Sequence, residues 1–285
     1  MNGIKIVVDS CCDLPKAILK KFDITMIPVN IHIGEKSFED GVDIDRETLY
    51  RRMEEGIIPT TSQPSPGRFL EVYRRLAEKA STILSIHITS KLSGTYQSAI
   101  LAREMLPDLD IQVIDTLSVS MGTGFMALAA AKAVEAGRTV REILEAIERL
   151  KERMSILATV STPKYLQLSG RVSKLQSSIA SMLDVKPIVK FQNGFIEAIG
   201  IVRTRAKSLD RLLELTRAAV GEAEEVGITV AHAYSPEDAQ RLKEKIQNLF
   251  KCREIYTVEV TPALAALGGP GLIGVVSYAK EGNTT

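Results

Sequence analysis

Tryptophan is missing from this 285-residue chain, cysteine and histidine occur three times each, and neither sign of charge is in excess, 36 Lys and Arg standing against 35 Asp and Glu. Each shortage closes a class of function. A net charge of +1, with basic residues interleaved among acidic ones as in Arg51-Arg52-Met53-Glu54-Glu55, describes solvated helix faces and leaves no footprint for nucleic acid. His32, His87 and His232 share no ligand spacing, so no metal is expected. Cys11, Cys12 and Cys252 are odd in number and two are neighbours, which reads as reduced thiols in a cytoplasmic protein. No apolar run reaches the roughly 20 residues of a membrane span. The longest, at 122–136, is broken by Lys132 and Glu135, and the chain enters a strand directly at Ile4-Lys5-Ile6-Val7-Val8, so a cytoplasmic location is expected. The G-x-x-x-x-G-K-[ST] loop of ordinary nucleotide triphosphatases and the G-x-S-x-G of serine hydrolases are absent as well.

What the chain does contain is alternation. Apolar runs of four to eight residues alternate with longer periodic segments, the signature of α/β architecture, and the length suits two domains of roughly 100 to 150 residues. Strands are expected at 5–8, 24–31, 82–88 and 111–114 in the first half, with a small hairpin over 32–38. A helix is expected behind Asp13 as its N-cap, with Pro15 in the first turn, and others at 46–54 behind Asp45, from Ser65-Pro66 to about Lys79, and at 122–135 and 140–153. Further strands are expected at 156–160, 187–191, 195–202, 226–231, 255–260 and 272–278, with helices at 173–183, 206–220 and 236–249. Asn193-Gly194 between two apolar runs is the strongest hairpin signal. The expected fold is α/β in two domains: 1–154 with a Rossmann-like, mostly parallel sheet, and 155–285 with a mixed sheet. Disorder is expected only at 281–285.

Several stretches could carry chemistry. Gly269-Pro270-Gly271-Leu272-Ile273-Gly274 matches a dinucleotide fingerprint by letter but runs into β-like residues, and Gly122-Thr123-Gly124-Phe125-Met126-Ala127 opens a helix seven residues after its strand, where the turn should be immediate. No cofactor is expected from either. Ser93 follows an apolar strand and precedes a helix, a place for a nucleophile or an anion. As a hydrolase it would need a base, and His87 lies in the strand itself while His32 and His232 are distant. The hydroxyls point elsewhere: Ser10, Thr60-Thr61-Ser62, Ser90 to Thr95 and Thr116 to Ser118 fall at strand carboxyl ends or helix starts, the ligand edge of an open α/β sheet. Unpaired N–H groups at helix starts, with neutral hydroxyls, suit a carboxylate or phosphate. The plainer alternative is that Ser65 and Ser93 only cap their helices.

Asp9-Ser10 with Asp13-Leu14, Thr61-Ser62-Gln63-Pro64-Ser65, Leu92-Ser93-Gly94-Thr95-Tyr96-Gln97-Ser98-Ala99, Asp115-Thr116, Leu168-Ser169-Gly170-Arg171-Val172, Arg203-Thr204-Arg205 and Gly269-Pro270-Gly271 follow one another in an order that resembles the DegV family over nearly the whole chain. The resemblance implies a two-domain α/β protein holding a long-chain fatty acid in an apolar tunnel between its domains. The carboxylate would be held by residues matching Thr61 and Ser93, with Ser62, Gly94 and Thr95 supporting the loops. It implies a lipid carrier without catalytic residues of its own, which presents the acid to a separate fatty acid kinase and makes transient membrane-surface contact for lipid exchange. Arg171 and Arg203 match arginines at the head-group or partner-facing end. An enzyme using Ser93 in an anion-binding crevice is the alternative. Two positions depart from the family: Leu267 stands where a His is common before Gly-Pro-Gly, and Ser169 replaces a common Gly. Ile27, Phe125, Met126, Met182 and Ile188 are candidate tunnel residues that read equally as ordinary core.

Overall fold

In chain order the first half folds as β1 (Ile4–Asp9), α1 (Lys16–Lys21), β2 (Ile24–Ile27), β3 (Asn30–Ile33), β4 (Lys36–Glu39), α2 (Arg46–Glu54), β5 (Thr60–Ser62), α3 (Pro66–Ala77), β6 (Thr82–His87), α4 (Thr95–Glu104), β7 (Asp110–Asp115), α5 (Met121–Glu135) and α6 (Val140–Arg153). This computed structural model describes residues 3–172 and 185–280. The described residues of Met1–Arg46, Pro59–Glu152 and Thr261–Ala263 form one unit, and those of Glu47–Ile58, Arg153–Val260 and Leu264–Thr285 a second.

The first unit is built on an all-parallel sheet in the order β2-β1-β6-β7. Every residue of β6 is buried, as expected of a central parallel strand covered on both faces, so its sequence Thr-Ile-Leu-Ser-Ile-His shows no polar alternation and its Ser85 and His87 lie inside. Ser65 caps α3, its Oγ accepting the Arg68 N–H at 3.3 Å, with Pro66 in the first turn where no N–H is needed. Phe69, Val72, Tyr73 and Leu76, at helical spacing, bury one face against Val7, Ile27, Ile83 and Ile111.

Three local expectations are corrected. The strand expected over 24–31 is two strands divided at Pro28, which has no N–H for a ladder; the next amide, Val29, donates instead to Ser10 Oγ at 3.2 Å. β3 then leaves the carboxyl end of β2 and enters a separate antiparallel sheet, β4-β3-β5. Its third strand, Thr60–Ser62, reads as a loop in the sequence because it is three residues long and carries no apolar period. Asp13 caps no helix: it sits at φ 53° closing a 3-10 turn over Ser10–Cys12, and α1 begins behind Pro15.

The second half runs β8 (Met154–Thr159), α7 (Lys164–Ser169), β9 (Lys186–Gln192), β10 (Phe195–Val202), α8 (Arg205–Val220), β11 (Val226–His232), α9 (Pro236–Leu249), β12 (Cys252–Glu259), α10 (Pro262–Gly268) and β13 (Ile273–Ala279). Its six strands form a mixed sheet, β10-β9-β8-β13-β11-β12, in which only β11 and β12 pair in parallel, through the α9 crossover. Asn193 and Gly194, at φ 52° and 82°, make the two-residue turn between β9 and β10 that the sequence signals. Leu209, Leu212, Leu242 and Ile246 cover Leu157, Ile188, Val230 and Val275. The helix expected at 173–183, with Met182 on it, and the tail at 281–285 lie outside the described residues. Among the described residues no helix is long and apolar enough to cross a membrane.

Candidate functional site

The chain passes from β1 to β2 on one side and later returns with β6 on the other, so the sheet's topological switch point lies at the carboxyl ends of β1 and β6. In an open α/β sheet that is the edge where ligands bind. Residues 10–13 and 88–94 leave the sheet at this point, and β5, reached through β3 from the end of β2, brings a third segment to the same edge.

Thr61 lies half-buried on β5 opposite Ile31, and Ser93 half-buried at the end of the second loop. Gln63 links the two segments. A Cβ placed on Gly94 would lie 2.9 Å from the Gln63 side-chain amide, so the bare backbone of Gly94 is what lets that amide rest against the Ser93 loop. Ser62, expected as support, is anchored: its Oγ pairs with His32 Nε2 at 2.8 Å and accepts from Asn30 Nδ2 at 3.4 Å, and Asn30 also donates to the Gln63 carbonyl. His32 is therefore a structural bridge, with Ser37 Oγ on its other nitrogen at 2.8 Å.

Ser93 does not cap α4 by position, since Gly94 holds that place, but its oxygen accepts the Thr95 N–H at 3.3 Å and pairs with Thr95 Oγ1 at 2.9 Å. Thr95 is fully buried, with its hydroxyl and its N–H both turned to Ser93 Oγ. The loop before Ser93 is tied down residue by residue. Thr89 donates its N–H to the Ser118 carbonyl at 2.9 Å, and Ser90 donates to Asp115 Oδ1 at 3.2 Å, which also accepts from Leu117. His87 is no base for Ser93: it is fully buried, with Asp9 on one ring nitrogen and Ser85 on the other.

Two carboxylates are buried at the 10–13 turn, Asp13 within it and Asp40 from the end of β4. Asp13 accepts from Ser120 Oγ at 2.5 Å and from the Thr261 N–H at 2.8 Å, and Asp40 accepts the Ala263 N–H at 3.1 Å. Burial pushes Asp13 up to about 7 against the pull of those hydrogen bonds, and raises Asp40 likewise. The Cys11 and Cys12 thiols are pushed up by the same burial, which suits packing and not nucleophilic work. The Gly122-x-Gly124 pattern has a packing cause: a Cβ on Gly124 would lie 2.6 Å from the Cys12 carbonyl oxygen.

In the second unit Arg171 folds back, donating from Nη1 to the Ser169 carbonyl at 2.7 Å, while Arg203 is exposed just past β10. Arg205 donates to Asp238 at 2.7 Å and to the Gly271 carbonyl at 2.8 Å. Gly269 and Gly271 are required by φ near 80–90° and by Tyr165 and Ser161 pressed against them, which explains that glycine pattern without a dinucleotide. Ile27 and Ile188 each belong to the apolar core of their own unit, and Phe125 and Met126 are buried in α5. Among the described residues no cluster of His, Cys, Asp and Glu could hold a metal. Asp9, Gln63 and Asp115 are the site's supports that sequence reasoning missed. An Asp closing a strand of an α/β sheet, as Asp9 and Asp115 both do, is the signal that could have found two of them.

Fold and site together define a two-unit α/β protein whose candidate site sets a hydroxyl on the short strand β5 beside a hydroxyl-bearing loop at the switch point of a parallel sheet. The chain belongs to the DegV family, described as uncharacterised proteins, whose pattern matches residues 3–280. It is 36% identical to a DegV domain-containing protein of Streptomyces coelicolor over 96% of this chain and 97% of that one. Among solved structures it resembles a DegV family protein from Thermus thermophilus described for fatty acid binding, with a TM-score of 0.93 at 30% identity over 98% of this chain and 100% of that one. It also resembles a stearic acid-binding protein from Eubacterium ventriosum, with a TM-score of 0.90 at 29% identity over 98% and 99% of the two chains.

Proposed function

We propose that this protein carries a long-chain fatty acid, its carboxylate received by the hydroxyls of Thr61 and Ser93 and its acyl chain held by apolar side chains, and that it performs no chemistry on the acid. The observation that carries this reading is the contact of Gln63 with Gly94, which sets the end of β5 beside the Ser93 loop at the sheet's ligand edge. The likeness to solved proteins described as fatty acid binding supports it. So does the chemistry of the loops: neutral O–H donors beside the N-terminus of α4 favour a carboxylate without a cation. Thr95 Oγ1, donating to Ser93 Oγ, would turn the Ser93 proton outward to the anion. The commitment of both His87 nitrogens, and the burial of Cys11 and Cys12, support a carrier over an enzyme.

The finer reading is a cytoplasmic carrier that hands its acid to a fatty acid kinase. Free cysteines support the compartment and exposed Arg203 a partner-facing end, while Leu267 stands at a position where the family often has His. A delipidated sample titrated with stearate tests carriage. Burial of an acyl chain at ~0.8 kcal/mol per methylene contributes on the order of 10 kcal/mol before ordering costs. Saturable binding of one acid per chain is therefore expected, and absence of saturation up to the solubility of stearate would overturn the reading.

A further inference from the structure

At the switch point lies a line of buried polar groups that carboxylate binding leaves unused. Asp9 ends β1 with no exposure to solvent. Its Oδ1 accepts the Cys11 N–H at 3.1 Å, and its Oδ2 accepts both the Ile88 N–H and His87 Nδ1–H at 3.0 Å. Cys11 lies in the turn after β1, and Ile88 opens the loop that ends in Ser93. One carboxylate thus ties together the two segments that diverge from the sheet where the ligand edge opens.

The line continues inward. His87 Nε2 pairs with Ser85 Oγ at 2.7 Å, Ser85 Oγ pairs with the Tyr73 hydroxyl at 2.7 Å, and Phe69 stands edge-on to the imidazole at 5.2 Å. A carboxylate only accepts, so His87 Nδ1 carries a proton; burial pushes the Tyr73 phenol up, so Tyr73 keeps its proton and donates. Donation from Tyr73 to Ser85 to His87, with His87 Nδ1 donating to Asp9, satisfies every member. Ser, His and Asp in sequence are also the parts of a nucleophilic triad, but Ser85 and His87 are both fully buried, so the arrangement holds a position instead of attacking a substrate.

We propose that Asp9 is a positioning residue for the Ser93 hydroxyl: its carboxylate fixes where the 88–93 loop leaves β6, and the His87–Ser85–Tyr73 line fixes the carboxylate. This rests on the reading of Ser93 as a ligand for the fatty acid carboxylate. Each carboxylate oxygen now accepts a backbone N–H, Cys11 at Oδ1 and Ile88 at Oδ2, and an Asn at position 9 keeps only one such acceptor. Whichever way its amide turns, the NH2 opposes one of those two N–H groups, and the tie between the 10–13 turn and the 88–93 loop is broken at one end.

The test compares stearate with stearyl alcohol, which shares the tail and lacks the charge. Asp9→Asn is expected to weaken stearate about tenfold while stearyl alcohol stays within about twofold, the loss of one well-placed hydrogen bond to a charged group. Equal losses for both ligands, or none, would overturn the proposal, because a purely structural role moves them together. His87 supplies a second pair of variants should Asp9→Asn fail to fold. His87→Asn keeps an N–H near the Nδ1 position and should preserve the acid-to-alcohol ratio; His87→Gln places its amide near Nε2, leaves Asp9 without that donor, and should lower the ratio. Identical ratios in the two would also overturn it. Ser93→Ala separates the two levels. If it leaves the ratio unchanged, the carboxylate reading fails and this inference with it; if it lowers the ratio and Asp9→Asn does not, only the positioning role fails.

Discussion

Thr61→Val combined with Ser93→Ala will weaken stearate binding by about 100-fold or more and leave stearyl alcohol within about threefold, since each hydrogen bond to a charged group is worth about 1.5–3 kcal/mol and 1.4 kcal/mol is a factor of ten. Valine keeps the branched shape of Thr61 on β5, so the pairing with Ile31 in β3 survives and the change isolates the hydroxyl. Alanine at 93 also removes the acceptor of the Thr95 N–H, which costs α4 about 1 kcal/mol of stability, as loss of a capping oxygen does, without touching any apolar contact. Competition assays with the two ligands on the same delipidated protein check the expectation. Parallel losses for acid and alcohol would mean that the hydroxyls shape the cavity and do not recognise the charge.

Stability should fall as pH rises from about 4 to about 7, and Asp13→Asn should abolish much of that fall. The Asp13 carboxyl titrates near 7 in the folded protein against 3.8 for the ordinary group, so the folded chain holds a proton that the unfolded chain has released. Stability from this group is complete below the unfolded value and is lost as pH climbs through the folded one. Three pKa units correspond to about 4 kcal/mol. Asp40, raised by burial beside it, acts in the same direction. Asparagine can still accept the Thr261 N–H through its oxygen and offer its NH2 to Ser120 Oγ, so the geometry is kept while the ionisation cost is removed. Urea denaturation at pH 4.5, 6 and 8 is expected to find variant and wild type similar at the lowest pH and the variant clearly more stable at the highest. A constant difference across the three would assign Asp13 an ordinary structural role.

How much of this was legible in the sequence depended on how local the cause was. The two-residue turn at Asn193-Gly194, the helix behind Ser65-Pro66 and the edges of 46–54, 140–153 and 236–249 follow from turn chemistry, caps and period, all written within a few neighbouring residues. β5 was missed because pairing with β3, not its own residues, makes Thr60–Ser62 a strand. Asp13 was misassigned because its partners, Ser120 and Thr261, are more than 100 residues away in the chain, and no local pattern announces them. Of the candidate site, the sequence pattern shows the two hydroxyl-rich segments holding Thr61 and Ser93, although the first is a strand, β5, and not the loop its polar residues suggest. Its supports are less legible: Asp9 and Asp115 are announced only as acids that close strands, and what they and Gln63 hold, Asp9 on Ile88 and Gln63 on Gly94, are tertiary contacts that appear once the switch point is built.

Mass spectrometry of an organic extract, made from protein purified gently and without detergent, tests fatty acid carriage most directly. The expected result is a long-chain carboxylic acid at close to one molecule per chain. An extract free of acyl chains, from a protein that also fails to take up added stearate, would contradict it.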